Sequence, residues 1–406
     1  MTEFNSSTLG AANDVVTLQL GFAANNELIN CEAYDIQMGI FDQPSAFTLR
    51  LGTGDLAREL IAKYPNGSPF RLLVGGQPQF TGYTDGFDAS DGPGATEVSF
   101  EGRDILAAIC DTEIEKEESF TADTHLALVQ KAIARVNLIR PFEVDPPLVI
   151  SSNTANRNRI TGQNVVAVDD SSEAELLGIA GSKGDAYVVL RTHLGETLIN
   201  LLRRHLDSAG LFMWAGADGN IVVGVPNSKQ PPLYRFFRKR GRNPTSNVVR
   251  AHYKNSLRPR FSEVVIYGKT TGRKYARTTV HGTYTDDEVV NAGLTKVRVL
   301  RNMDVTSTAH AEHLAKKELA ACRRRGFYLE YTVAGHSAPC LLSNNQTRAV
   351  IAPDTVAEID DDEYDLHGRY WIESVYHHRR PETLTTFRLL SPDVLIFGDQ
   401  AFPTPA

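Results

Sequence analysis

Residues 70–111 read FRLLVGGQPQFTGYTDGFDASDGPGATEVSFEGRDILAAICD. Phe70, Leu72 and Val74 alternate with Arg71 and Leu73, the period of a strand with one face buried. Gly75-Gly76 predicts a tight turn, because glycine reaches positive φ without a steric cost. A second strand is expected from Gln79 to Phe87, broken by Gly82 and Gly86. Ser90-Asp91-Gly92-Pro93-Gly94 is a loop by composition. A third strand, Glu97 to Glu101, alternates Val98 and Phe100 with polar neighbours and ends at Gly102-Arg103-Asp104. Ile105, Leu106 and Ile109 then begin a short helix. The stretch is a meander closed by a strand-to-helix corner, which physics alone places in a β-barrel or sandwich subdomain.

The rest of the chain bounds that reading. At 406 residues it should hold two to four domains, at about 150 residues each. Hydrophobic residues make up 42% and charged residues 22%, an ordinary globular balance. No apolar run approaches the roughly 18 residues of a membrane span. The start, MTEFNSSTLGAAND, lacks the basic and apolar regions of a signal peptide, so neither secretion nor a membrane anchor is expected. Cys31, Cys110, Cys322 and Cys340 form no CxxC pair and read as reduced thiols. A net charge of −7 argues against a general grip on nucleic-acid phosphates, although a local basic patch remains compatible with it.

Residues 1–12 read as a flexible arm. Val16, Leu18 and Leu20, then Ile36, Met38 and Ile40, then Phe47 to Leu51 predict three strands. Thr53 caps a helix carrying Leu56, Leu60 and Ile61, which Asn66-Gly67 stops. Glu113, Glu115, Glu117 and Glu118 form an acidic connector. Asp123 is positioned to cap a helix to about Asn137, with a stripe of Leu126, Val129, Ile133 and Val136. Residues 141–172 read as an irregular excursion. Arg191–Val225 opens on Gly195-Glu196-Thr197 and continues as a helix with Leu198, Leu201, Leu202, Leu206 and Ala209 on one face. Gly210 stands at C′. A hairpin follows, Leu211–Trp214 and Ile221–Val225 across Asp218-Gly219-Asn220.

Arg235, Arg238, Lys239, Arg240 and Arg242 form a basic cluster among Tyr234, Phe236 and Phe237. It reads either as a solvated linker or as an anionic contact with a partner protein or passing DNA. Phe261–Gly268 is a strand ending in glycine, and residues 269–303 are a charged excursion. A helix from about Thr308 to Arg325 carries Ala311, Leu314 or Ala315, Leu319 and Cys322, with Gly326 as its stop. Val356–Asp360, an acidic turn, Gly368-Arg369-Tyr370-Trp371-Ile372 and Thr383–Leu390 complete a last β meander.

Three separated signatures, in order, cover nearly the whole chain. They are TGY (Gly82) with Gly102-Arg103-Asp104; Gly195-Glu196, Gly210 and Gly219 around the leucine helix; and Gly268 with Gly368 and Trp371. Together they resemble the baseplate hub proteins of contractile-tailed, Mu-like bacteriophages, related to the spike-platform family of contractile injection systems. The resemblance implies an α+β, mainly β fold, with two small β-barrel domains flanking or joined by α/β insert domains. It divides the chain into a first barrel with its arm (1–112), a middle α/β domain (113–240), a second barrel with an insertion near 269–326 (241–396) and a tail (397–406). The two barrels are expected to share one topology.

The resemblance further implies a homotrimer forming a pseudo-sixfold ring. That ring joins the tail tube or a tube-initiator protein to a central spike protein, with baseplate wedge proteins and a tape measure protein as further partners and DNA only in transit. The location implied is the virion baseplate, assembled in the host cytoplasm. Residues 191–225 are also similar to a LysM module, which implies the alternative of a peptidoglycan-binding or cell-wall-degrading tail protein.

No catalytic, cofactor or metal constellation stands out. His310 and His313 are three apart on a helix with no third ligand, and read as a solvated face. His377-His378 lies in a strand, so its rings face opposite ways. Asp360, Asp361, Asp362, Glu363 and Asp365 lack the spacing of a calcium loop and read as a charged turn. No GxSxG or P-loop occurs.

Overall fold

In the computed structural model, Gly75 and Gly76 lie at φ 56° and 76° and turn the strand Pro69–Val74 directly into Gln77–Gly92. Two successive left-handed residues give the turn whose twist matches paired strands. The structure describes residues 14–21, 27–31, 33–41, 44–51, 59, 62–92, 95–122, 124–136, 149–151, 188–209, 211–228, 230–241, 245–271, 278–302, 305, 307–343 and 347–391. The expected arm, the Thr53 helix cap, Asp123, Gly210, Arg242 and the C-terminal tail lie outside them.

The first seven strands are β1 (Val16–Leu20), β2 (Glu27–Asn30), β3 (Ala33–Gly39), β4 (Ala46–Leu51), β5 (Pro69–Val74), β6 (Gln77–Gly92) and β7 (Ala95–Asp104). β6 and β7 run past the bounds read from sequence, because they pair with each other along the acidic stretch: Asp88 faces Ser99 and Gly92 faces Ala95. Next come β8 (Ser119–Ala122), β9 (Val149–Ser151), β10 (Val188–Arg191), β11 (Phe212–Ala215) and β12 (Ile221–Gly224). β11 and β12 form the expected hairpin, and β9 adds to it in parallel. Part of the expected irregular excursion is therefore a strand. The helix Leu198–Ser208 buries all five residues of its stripe against His125–Ile133 in one core. The latter helix is capped by Thr124, whose hydroxyl accepts from the Ala127 amide.

The third segment supplies β13 (Tyr234–Lys239), β14 (Thr245–Ser246), β15 (Arg250–Asn255), β16 (Glu263–Thr271), β17 (Thr278–Thr285), β18 (Val297–Arg301) and β19 (Phe327–Ala334). After them come β20 (Ser337–Pro339), β21 (Arg348–Val350), β22 (Thr355–Asp361), β23 (Leu366–Arg379) and β24 (Thr383–Leu390). β16–β18 form a separate three-stranded sheet with its own core against the helix Thr308–Gly326. Phe261–Gly268 therefore opens an inserted unit, not a second barrel, and among its described residues the charged excursion 269–303 holds the end of β16, β17, a short helix (Asp287–Asn291) and β18.

The two ends of the chain repeat one another. The first half has the strand path β2-β1-β5-β6-β7-β4-β3, and the second has β14-β13-β22-β23-β24-β19-β15. Taken in chain order, the two paths are the same permutation of seven strands. Every pairing is antiparallel in both halves except that β13 runs parallel to β22 where β1 runs antiparallel to β5. The long strands also bulge at corresponding places, between Thr84 and Gly86 against β7 and between Ile372 and Ser374 against β24. The shared topology expected of the two ends is present.

The mainly β, α+β class is what the structure shows. The two closed barrels are not: among the described residues no sheet closes, and both halves lie in one 14-stranded sheet. The reason is hydrogen-bonding arithmetic. β3 has two flanks; one takes β4 and the other takes β23, leaving none to close a barrel on its own half. Phe47, Phe70 and Phe100 of the first half share a hydrophobic core with Tyr234, Tyr331 and Phe387 of the second.

Gly82 shows how tightly this sheet folds on itself. A Cβ there would lie 2.0 Å from the Arg103 carbonyl oxygen, a backbone atom that cannot swing aside. Gly82→Ala is expected to destabilise the protein by about 1–3 kcal/mol, read as a lower urea midpoint with an unchanged slope. A midpoint equal to that of the native protein would contradict this packing.

Candidate functional site

The joint between the halves is built around the bulge in β23. Upstream of Ser374, Thr355 to Asp361 pair with Ile372 to Leu366. From Ser374 onward the same flank takes β3: Ser374 faces Gly39, His377 faces Ile36 and Arg379 faces Tyr34. The bulged Glu373 is 1% exposed and takes Arg324 at 2.6 Å and Arg388 at 3.0 Å. A buried carboxylate needs such partners, because desolvation without them costs several kcal/mol. The Glu373 carbonyl accepts from the Ile40 amide at 3.2 Å, continuing the joint by one more bond. Asp35 of β3 bonds the Tyr376 hydroxyl and pairs with Arg380 across it.

A buried polar cluster lies beneath the joint. The Tyr34 hydroxyl is 2.7 Å from His336 Nε2, and His336 Nδ1 is 2.8 Å from Thr385 Oγ1. His377 Nδ1 is 2.9 Å from the same hydroxyl. Burial pushes His336 down from 6.5 to about 3 and His377 well below 6.5, so both rings are neutral donors and acceptors. His377 is inside and His378 stacks on Tyr376 outside, the opposed facing that strand alternation requires.

The Gly102-Arg103-Asp104 corner is a folding device. A Cβ on Gly102 would meet the rings of Phe47 and Phe70 at 2.8 and 2.9 Å. Arg103 turns outward and bridges Asp85 and Asp111, each at 2.7 Å. Asp104 turns inward and accepts from the amides of Ser45 at 2.6 Å and Leu106 at 2.9 Å. Burial nonetheless pushes its carboxyl up to about 6. Asp85 occupies the bulge of β6 as Glu373 occupies that of β23, so both long strands hold an arginine-bound acid at the bend.

The basic cluster finds its anion within the chain. β13 pairs in parallel with β22, which sets Arg235 3.0 Å from Asp360, Arg238 3.1 Å from Asp361 and Lys239 3.0 Å from Asp362. Arg240 reaches Glu363 at 2.8 Å. The cluster is not a linker but part of strand β13 and its end, and Arg235, Arg238, Lys239 and Arg240 form one rail of an intramolecular ladder, Arg242 lying outside the described residues. The acidic run supplies the other rail. Asp360, Asp362 and His367 come close enough to share an ion, yet Lys239 already binds both carboxylates, and hydrogen bonds chiefly from Lys239 hold Asp360 down at about 2.

The other signature residues are dispersed. Gly195 and Gly219 take left-handed turns at φ 74° and 81°, and Glu196 pairs with Arg204 at 3.0 Å. A Cβ on Gly268 would lie 2.4 Å from the Val305 carbonyl. Gly368, at φ 117°, stands near the start of β23, where Trp371 donates to Asp354 at 2.9 Å. Gly326 is the last helical residue and ends nothing by a left-handed turn. Its lack of a side chain admits the Ser256 carbonyl, 2.5 Å from where a Cβ would be. The His310 side chain is buried and His313 is pushed down to about 4 by burial, so neither forms a solvated face. Glu373 and His336 carried no sequence signal, since each acquires its role from strands far away in the chain.

No family model matches the chain, and no curated protein sequence matches it. Solved structures do. The tail protein from Neisseria meningitidis MC58 superposes with a TM-score of 0.69 at 20% identity, over 96% of this chain and 99% of that one. This is the fold of phage tail proteins. The 43 kDa tail protein of prophage MuSo2 from Shewanella oneidensis gives a TM-score of 0.67 at 18% identity, over 94% of this chain and 99% of that one. Prophage tail protein gp18 from Listeria monocytogenes EGD-e gives 0.50 at 10% identity, over 92% and 94%. The Mu-like resemblance read from the signatures and these folds agree over nearly the entire chain.

Neutral buried histidines make the fold sensitive to acid. His336, His205 and His125 are held near 3, 3 and 4 respectively, against 6.5 in an unfolded chain, so the unfolded state binds more protons between those limits. Their contribution is complete above pH 6.5 and is lost as pH falls through that window. Asp104, raised to about 6, acts in the opposite sense between about 6 and 4. The urea midpoint is expected to fall between pH 7 and pH 4.5, and to fall less in His336→Gln. Equal falls in both proteins would show that His336 has no part in the acid sensitivity.

Proposed function

We propose that this protein is a structural hub of a phage tail baseplate, a homotrimer whose six sheet halves form a pseudo-sixfold ring. The observation that carries this reading is the repeated seven-stranded path joined edge to edge within one chain. A chain with two equivalent halves presents threefold symmetry to a central spike protein and near-sixfold symmetry to a tail tube or tube-initiator protein. Heterologous contacts that close by rotation make such a ring, and a permanent particle calls for large, partly apolar contacts. Baseplate wedge proteins and a tape measure protein are the further partners proposed, with DNA passing through the centre and the particle assembled in the host cytoplasm.

In this reading the chain works by binding, without turnover. The division at 1–112, 113–240 and 241–396 is read functionally: the first and last parts, with β13 from the end of the middle part, build the ring, and the rest of the middle part stands outside it. Gly82, Gly102, Arg103, Asp104, Gly368 and Trp371 serve it by holding the two halves in shape, while Gly195, Glu196 and Gly219 shape the middle part and Gly268 the insert.

Native mass of the purified protein, at high concentration and in assembled tails, tests this directly. Three chains are expected; a dimer or a six-chain assembly in the tail would refute the ring. The LysM-like stretch supports no rival strongly, because its helix stripe is buried in a core of its own and its hairpin takes β9 as a third strand. Purified protein is accordingly expected to leave isolated peptidoglycan undegraded. Clearing of the wall preparation by lysozyme-free protein would restore the cell-wall reading.

A further inference from the structure

The two halves treat their long strands differently at one place. In the second half, the flank of β23 beyond its bulge carries β3 of the first half. The counterpart strand is β6. Over Gln77–Tyr83 that flank of β6 carries β5, and Gly67 and Ser68 bond the Thr84 backbone. Beyond the bulge, along Gly86–Gly92, the described residues place a strand only on the opposite flank, where β7 lies. The counterpart of β3 is β15. One of its flanks takes β19; on the other, the described residues place no strand, and the Ala251 carbonyl accepts from the Tyr364 hydroxyl at 3.2 Å. Among the described residues, each half of the internal joint thus has an equivalent with no strand paired to it.

We propose that the Gly86–Gly92 flank of β6 pairs antiparallel with β15 of a second copy, in the register of the internal β23–β3 joint. This deepens the ring reading and rests on it. The register follows from the equivalence of the two halves. Leu49 and Tyr331 correspond, since they face Phe100 and Phe387. Tyr34 and Ala251 correspond in turn, opposite Leu49 and Tyr331. Arg379 faces Tyr34, and Asp91 stands to Gly86 as Arg379 stands to Ser374. Asp91 therefore faces Ala251 of the second copy, and Asp88 faces its Lys254.

The chemistry of the two edges agrees with that register. The β6 flank brings Asp88 and β15 brings Lys254, both exposed in the single chain, and the register sets them directly across from one another. Opposite charges directly across an antiparallel pair stabilise it, and a slip by one residue would turn each strand's faces over. Phe87 is 42% exposed on this edge. An edge with an open flank and an exposed aromatic is a template for another strand. Each copy offers one acceptor edge and one donor edge, so the contact runs head to tail and closes only as a ring.

Cysteines placed across the proposed pair test it. The double variant Asp88→Cys with Lys254→Cys, oxidised at high concentration, is expected to yield a closed three-chain species on non-reducing gels. That species should be absent from both single variants and should disappear on reduction. A native mass of three chains with no such link overturns this contact and leaves the hub reading standing. A single-chain mass at every concentration, or an open ladder without a closed end point, overturns the ring itself. Charge exchange gives an independent measure. Asp88→Lys and Lys254→Asp should each lower the three-chain fraction, and combining them should restore it; a double variant as impaired as either single one overturns the register.

Discussion

A strand has two hydrogen-bonding flanks, and the structure depends on how β23 divides one of them. The bulge at Glu373 lets a single flank serve β22 before the bend and β3 after it, while the other flank remains with β24. An extra residue on one strand bends it and increases its twist, which is what redirects the second part towards the opposite end of the chain. The bent residue is an acid, and its burial is made tolerable by Arg324 from the helix of the inserted unit and Arg388 from the neighbouring strand. The joint thereby ties the insert and the second half to the Glu373 carboxylate, and the first half to the same residue's backbone carbonyl.

Around the joint, close approach replaces side-chain bulk. Gly82 admits the carbonyl of Arg103, and Gly102 admits the rings of Phe47 and Phe70. In the inserted unit Gly282 sits against the helix backbone, where a Cβ would lie 2.2 Å from the Glu312 nitrogen. These glycines are placed where backbone or aromatic atoms already fill the space a methyl group would need. They set the spacing of layers, a function that differs from the turns made by Gly75 and Gly76.

Charge is used inside the sheet to fix strand order. The parallel pairing of β13 with β22 sets four basic side chains beside four acidic ones, on partly exposed positions where each pair by itself contributes little. As a row they favour one partner and one direction for β13, the strand that departs from the antiparallel pattern of the first half. The Asp361 end goes deeper, with Arg238 and the Tyr331 hydroxyl both bound to a carboxylate that is fully buried.

Local pattern determined most of the elements: the Gly-Gly turn, the alternation of Val16, Leu18 and Leu20, the leucine stripe of 198–209 and the last β meander all depend on neighbours within one strand or helix. The mainly β class and the likeness of the two ends were legible for the same reason, since repeated local patterns produce repeated topology. Tertiary structure decided how the flanks were used. That β3 pairs with β23, that the basic cluster meets the acidic turn and that Phe261–Gly268 begins an insert all depend on contacts between residues more than a turn or a hairpin apart. A strand's sequence states which face is apolar and leaves both edges chemically alike, because every backbone offers the same amide and carbonyl. Which edge meets which is settled only when the whole chain competes for them.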